Sequence, residues 1–149
     1  MNQFKNIGEH MTKEVLVFIS GFFHEVDEKE KVELATEGEY FNRNGKHFIL
    51  FDEPDETSEI IKNTIKISDN QIDIIKRGVN NVHMVFHENK ESKTNYNTPF
   101  ENLIMQMNTT SLLIEEGKNQ ILIDIKYDLS INDIYVSECF IQIKIQSKG

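Results

Sequence analysis

Residues 119–146 constrain the fold more than any other stretch of this chain. Ile121, Ile123, Ile125, Tyr127 and Leu129 fall on one face of an extended segment, and Asp124, Lys126, Asp128 and Ser130 on the other. Leu122 is the one apolar residue on the polar side. Period-two alternation marks a strand with one dry and one wet face. Ile131-Asn132-Asp133 then predicts a tight reversal. Beyond it Tyr135, Ser137, Cys139, Ile141, Ile143 and Ile145 alternate with Glu138, Gln142, Lys144 and Gln146. The product is an antiparallel hairpin about 30 Å long. Such a hairpin has too little apolar surface to stand alone in water, so the remaining chain must supply the opposite wall.

Before this hairpin, the chain divides into further short strands. Residues 1–11 are polar and predict a flexible leader to a single domain over residues 12–149. Val15, Val17 and Ile19 oppose Leu16 and Phe18, which predicts a strand covered on both faces, with Gly21 ending its regular part. The charged run from Glu25 to Lys31 reads as a solvated connector. Val32, Leu34, Thr36 and Tyr40 alternate with glutamates, and Arg43-Asn44-Gly45-Lys46 is a hairpin turn, because Asn-Gly accepts positive φ. Strands follow over 47–51, 60–67, 71–77, 82–86 and 92–97, and a longer one opens at Leu103. Thr98-Pro99 interrupts the ladder.

About ten strands joined by links of a few residues leave no room for crossovers. Consecutive strands must pair antiparallel as a meander. Open edges are costly, and an up-and-down barrel removes them. The expectation is an all-β, single antiparallel barrel of eight to ten strands, with a sandwich as the alternative.

A chain of 149 residues fits one domain. The formal charge of −9 speaks against nucleic acid and against anionic lipid surfaces. Cys139 is the only cysteine, so no internal disulfide forms, and no run reaches the ~18 apolar residues of a membrane helix. These features predict a cytoplasmic protein.

An ordered set of residues carries a family resemblance. Val17-Phe18-Ile19-Ser20-Gly21 is followed by Ile74-Ile75-Lys76-Arg77-Gly78, Met84-Val85-Phe86 and Tyr96-Asn97-Thr98-Pro99-Phe100, then by Thr110, Leu112-Leu113 and Ile125-Lys126-Tyr127-Asp128-Leu129. In order and spacing they resemble the YwiB-like family of small uncharacterised bacterial proteins with a calycin-type, lipocalin-like barrel. One departure is Glu101, where the family carries glycine after the Thr-Pro-aromatic unit. The resemblance implies the barrel and brings no activity with it.

Four residues are candidates for contact with a ligand in the barrel. Lys76 and Arg77 form a basic pair at a strand end on an acidic chain, either of which could hold an anionic or polar group. If Ile72 and Ile74 face inward, Lys76 enters the lumen and Arg77 faces out; a bulge at Ile75 would exchange them. Tyr96 and Thr98 share a face and offer two hydroxyls. Each has an ordinary structural explanation as well: an internal ion pair, or strand-end hydrogen bonding. His83 and His87 are about 13 Å apart if extended, too far for one metal ion. No nucleophile elbow, phosphate loop or dinucleotide fingerprint is present. The expectation is a non-enzymatic barrel that binds a small apolar or amphipathic molecule, without cofactor. The alternative is a filled barrel acting as a protein-interaction module, with a homodimer among its partners.

Overall fold

A computed structural model describes residues 11–23, 32–54, 59–78, 81–97 and 100–148. The expected leader, apart from Met11, the 25–31 connector, Thr98 and Pro99 lie outside the described residues. Ten strands follow in chain order: β1 (Glu14–Phe23), β2 (Val32–Arg43), β3 (Lys46–Pro54), β4 (Ile60–Ser68), β5 (Gln71–Arg77), β6 (Val82–His87), β7 (Glu91–Asn97), β8 (Asn102–Glu116), β9 (Gln120–Ile131) and β10 (Ile134–Ser147). Among the described residues there is no helix.

All ten form one antiparallel sheet in the order β6-β5-β4-β3-β2-β1-β10-β9-β8-β7. Chain order is kept around a ring, because β1 pairs with β10, as in Val17 opposite Ile145. The break in the ladder falls between β6 and β7. There a turn bridges the two edges: the Lys90 N–H donates to the His87 carbonyl at 3.0 Å. The turn is tied to β8, where the Asn89 N–H donates to the Thr109 carbonyl and the Glu88 side chain accepts from the Leu112 N–H. The result is a nearly closed calycin-like meander barrel.

Turn chemistry sets the registers. Asn44 and Gly45 have φ of 53° and 79°, and Asn132 and Asp133 have 50° and 66°. Two consecutive left-handed residues make the turn whose twist matches that of paired strands. Two bulges then re-aim side chains. One lies between Thr109 and Ser111 on β8, and moves the inward set from Met105 and Met107 to Leu112 and Ile114. The other lies between Tyr135 and Ser137 on β10. It turns Tyr135 outward, to 54% exposure, although simple alternation places it with the apolar face.

Two sequence expectations for β1 change. Gly21 does not end the strand, which continues to Phe23 with Gly21 paired to both Val32 and Ile141. Nor is the second face covered: Phe18 is 38% exposed, with Lys144 Nζ 5.8 Å from its ring centroid.

One half of the lumen is filled. Val15, Val17, Ile49, Ile65, Ile72, Ile121, Ile123, Ile143 and Ile145 are buried near the end that carries the N- and C-terminal segments. Phe86 and Tyr127 meet across the interior with ring centroids 4.9 Å apart and planes tilted by 53°. Beyond that aromatic pair, toward the opposite end, the described residues leave a cavity.

Candidate functional site

A cavity of about 290 Å³ occupies this second half of the lumen. Its walls are mostly apolar and include Ile19, Leu34, Ile74, Met84 and Ile141. Gly21 also lines it, and the missing side chain is part of the space. The volume equals that of roughly ten liquid waters and lies at the small end of ligand pockets.

Three polar side chains from adjacent strands meet on one wall. Lys76 on β5 lies directly opposite Asn63 on β4, and Glu53 on β3 is diagonal to Asn63. Lys76 Nζ is 2.8 Å from Glu53 Oε1. Asn63 Nδ2 donates to the same oxygen at 2.9 Å and to the Ile61 carbonyl at 3.3 Å. Glu53 thus accepts from two donors in a largely apolar wall. Asn63 is buried, and its Oδ1 has no hydrogen-bond partner among the described residues.

A second polar pair lines the cavity near the Phe86–Tyr127 contact. Tyr127 and Cys139 lie beside one another, and the Ser137 hydroxyl is 3.6 Å from the Cys139 sulfur. Burial pushes both the Tyr127 hydroxyl and the Cys139 thiol above their ordinary pKa values. The sulfur is therefore a protonated small hydrophobe at neutral pH and a poor nucleophile.

At the filled end, Tyr40, His47 and Glu116 form a chain of contacts. The Tyr40 hydroxyl is 2.5 Å from His47 Nδ1, and His47 Nε2 meets Glu116 Oε1. A carboxylate oxygen accepts, so Nε2 donates to Glu116, and Nδ1 is left to face the Tyr40 hydroxyl. Burial raises the Tyr40 pKa, with a smaller contribution from the Glu116 charge and partial opposition from Asn42.

The four sequence candidates separate. Lys76 reaches the lumen, with Ile72 and Ile74 buried beside it in the inward register. Arg77 is exposed and lines a groove on the outer wall with Asp52, Lys62 and Glu14. Tyr96 is half-buried on β7, opposite Leu103, on the face that also carries Ser92 and Thr94. Thr98 lies outside the described residues. Glu53, Asn63 and the Tyr40–His47–Glu116 chain were not singled out from sequence. Parity held the signal: His47 and Glu53 share the register of Ile49 and Phe51, and Asn63 that of Ile65 and Ile67.

Among the described residues no group of three His, Cys, Asp or Glu side chains is placed to hold a metal ion. His83 instead meets the buried Asp73 on the outer face at 2.7 Å, and Gln71 donates to the other oxygen of that carboxylate. No helix among these residues is long and apolar enough to cross a membrane.

Comparison with solved structures supports the fold. The crystal structure of the ywiB protein from Bacillus subtilis superposes with a TM-score of 0.77 at 17% identity, covering 93% of this chain and 96% of that one. No curated protein sequence matches. A family model described as a domain of unknown function (DUF1934) matches residues 17–143. That match spans most of the barrel, so the chain belongs to the DUF1934 family.

Proposed function

We propose that this protein is a binding module that holds a small amphipathic molecule in the unfilled half of its barrel. The observation that carries the proposal is the cavity itself: apolar over most of its lining, with Lys76, Glu53 and Asn63 grouped on one wall. An apolar enclosure gives affinity, and a few placed polar groups give orientation. Lys76 supplies an ammonium with two hydrogens beyond the one on Glu53. Tyr96, on β7 of the same barrel, and Thr98 are proposed as secondary contacts, and Arg77 as an outer-wall residue without a ligand role.

Native mass spectrometry on protein purified gently from its own host tests this. A bound mass that leaves on denaturation is expected. It is also expected to vanish in Gly21→Ile, since a Cβ there has room, with its nearest atom, the Phe140 carbonyl oxygen, at 3.4 Å, and a larger side chain extends into the cavity. A bare chain from several gentle preparations, or a bound mass unaffected by filling the cavity, overturns the proposal.

A second proposal has its own observation. Phe18, Leu113 and Leu122 line an outer-wall groove of about 650 Å³, and Leu113 is 56% exposed. An apolar surface rimmed by Glu115 and Asp124 suits a protein partner. A second copy is the simplest such partner, and sedimentation of wild type against Leu113→Lys tests it: a dimer lost in the variant supports the idea, and a monomer in both removes that partner.

A further inference from the structure

Asn63 Oδ1 is the unfulfilled group of the cavity wall. The side chain is 2% exposed, and neither lone pair of the oxygen is used by any of the described residues. Its orientation follows from chemistry. Both amide hydrogens are taken, by Glu53 Oε1 and by the Ile61 carbonyl, and exchanging oxygen for nitrogen would set Oδ1 against two acceptors. A buried acceptor left unpaired is costly, and in a native protein it calls for a missing donor.

The neighbouring charges narrow what that donor belongs to. Lys76 would be an anion anchor on its own, but Glu53 accepts its hydrogen at 2.8 Å, so the pair is neutral overall. A carboxylate brought to this wall would face the Glu53 carboxylate and would set its oxygens, which only accept, against Asn63 Oδ1, which also only accepts. Arg77, the alternative anion anchor, is on the outer wall. A neutral group carrying both donor and acceptor fits: its hydrogen goes to Asn63 Oδ1 and its oxygen receives a hydrogen from Lys76.

We infer that the ligand of this cavity is a short apolar body bearing an uncharged hydrogen-bond-donating head, of the hydroxyl or primary-amide class, seated on Asn63 and Lys76. The inference rests on the lumen-binding proposal and adds the head-group chemistry. A carboxylate is disfavoured by Glu53, and an acceptor-only ester or ketone by Asn63.

A matched series of probes tests it: hexanol, hexanamide, hexanoate and methyl pentanoate, titrated into the full chain and followed by amide chemical shifts of the cavity strands. Hexanol or hexanamide is expected to bind on the order of ten-fold more tightly than the ester and the carboxylate, the scale of one buried hydrogen bond. In Asn63→Leu that preference is expected to collapse, while the ester, which cannot use Oδ1, keeps its affinity. Should Asn63→Leu fail to fold, Glu53→Gln on the intact Asn63 gives a second reading: relief of the carboxylate repulsion should raise hexanoate affinity toward that of hexanol. Equal binding by all four, or tightest binding by hexanoate to the wild type, overturns the head-group inference and leaves the lumen proposal standing. Absence of binding by every probe overturns both.

Discussion

His47 on β3 and Glu116 on β8 touch, although their strands lie five places apart in either direction around the ten-strand ring. The contact spans the filled end of the barrel, and Tyr40 extends it along β2. His47→Ala should therefore leave the buried Tyr40 hydroxyl with only the long 3.4 Å hydrogen bond from Asn42 and cost about 1–3 kcal/mol. Glu116→Ala removes a more exposed group and should cost about 0–1 kcal/mol. Urea denaturation followed by circular dichroism measures both, and a costlier Glu116 substitution would show that the contact acts mainly through its charge.

Lys76 and Glu53 make the complementary case at the cavity end. Their side chains are 36% and 19% exposed, so water screens the pair only in part. Lys76→Met leaves the Glu53 carboxyl group in an apolar wall, with Asn63 as its remaining side-chain donor among the described residues. We expect a loss of about 1–3 kcal/mol, smaller than for a fully buried pair. The double variant Lys76→Met with Glu53→Gln should recover most of it, because no orphan charge remains. A double variant as unstable as the sum of the singles would exclude this coupling.

The barrel could be read from the sequence because its cause is local and repeated. Ile121 to Leu129 and Cys139 to Ile145 alternate cleanly, and Asn44-Gly45 and Asn132-Asp133 mark reversals by their tolerance of positive φ. Short links then allow little besides a meander. The β6–β7 break was not legible, since it depends on which neighbouring edges meet after closure. Tyr135 was misplaced because one extra residue in a strand leaves no reliable mark in an alternating pattern. Lys76 was legible only conditionally, through the direction of Ile72 and Ile74. Glu53 was hidden in the acidic run from Asp52 to Glu56, which resembles a solvated turn, although its parity follows Ile49 and Phe51. Asn63 was passed over inside an apolar strand, where a single polar residue in the inward register was the available signal. Whether such a residue faces packed neighbours or a cavity depends on side chains from distant strands.

Gly38 shows where backbone space rather than backbone angle requires glycine. A Cβ there would lie 2.8 Å from the Leu50 carbonyl oxygen and 3.1 Å from Val17 Cγ2. Gly38→Ala should cost about 1–3 kcal/mol through overpacking, since β1 or β3 must shift. Gly45→Ala has open space, but its φ of 79° should cost about 1–2 kcal/mol. Gly21→Ala has neither problem and should stay within about 0.5 kcal/mol of wild type. Thermal unfolding of the three variants checks the ranking, and a neutral Gly38→Ala would mean that the strands yield more readily than the Cβ contacts imply.

Stability should fall on the alkaline side, and the residues responsible are named by burial. Desolvation raises the pKa values of Tyr127, Tyr40 and Cys139, with Asp128 and Glu138 adding a smaller upward push on the thiol. In the unfolded chain a cysteine loses its proton near 9.0 and a tyrosine near 10.0. Above those values the folded state binds more protons than the unfolded state, so unfolding free energy decreases as pH rises. The contribution is intact below about pH 8 and is lost progressively through pH 9 to 11 and beyond, at up to about 1.4 kcal/mol per pH unit for each group. Tyr127→Phe and Cys139→Val each remove one such proton and should make the alkaline limb shallower, whatever they do to stability at neutral pH. Urea midpoints and slopes collected at pH 7, 9 and 10.5 provide the measurement. An alkaline limb equally steep in both variants would place the pH dependence outside this interior and on the ionisable surface.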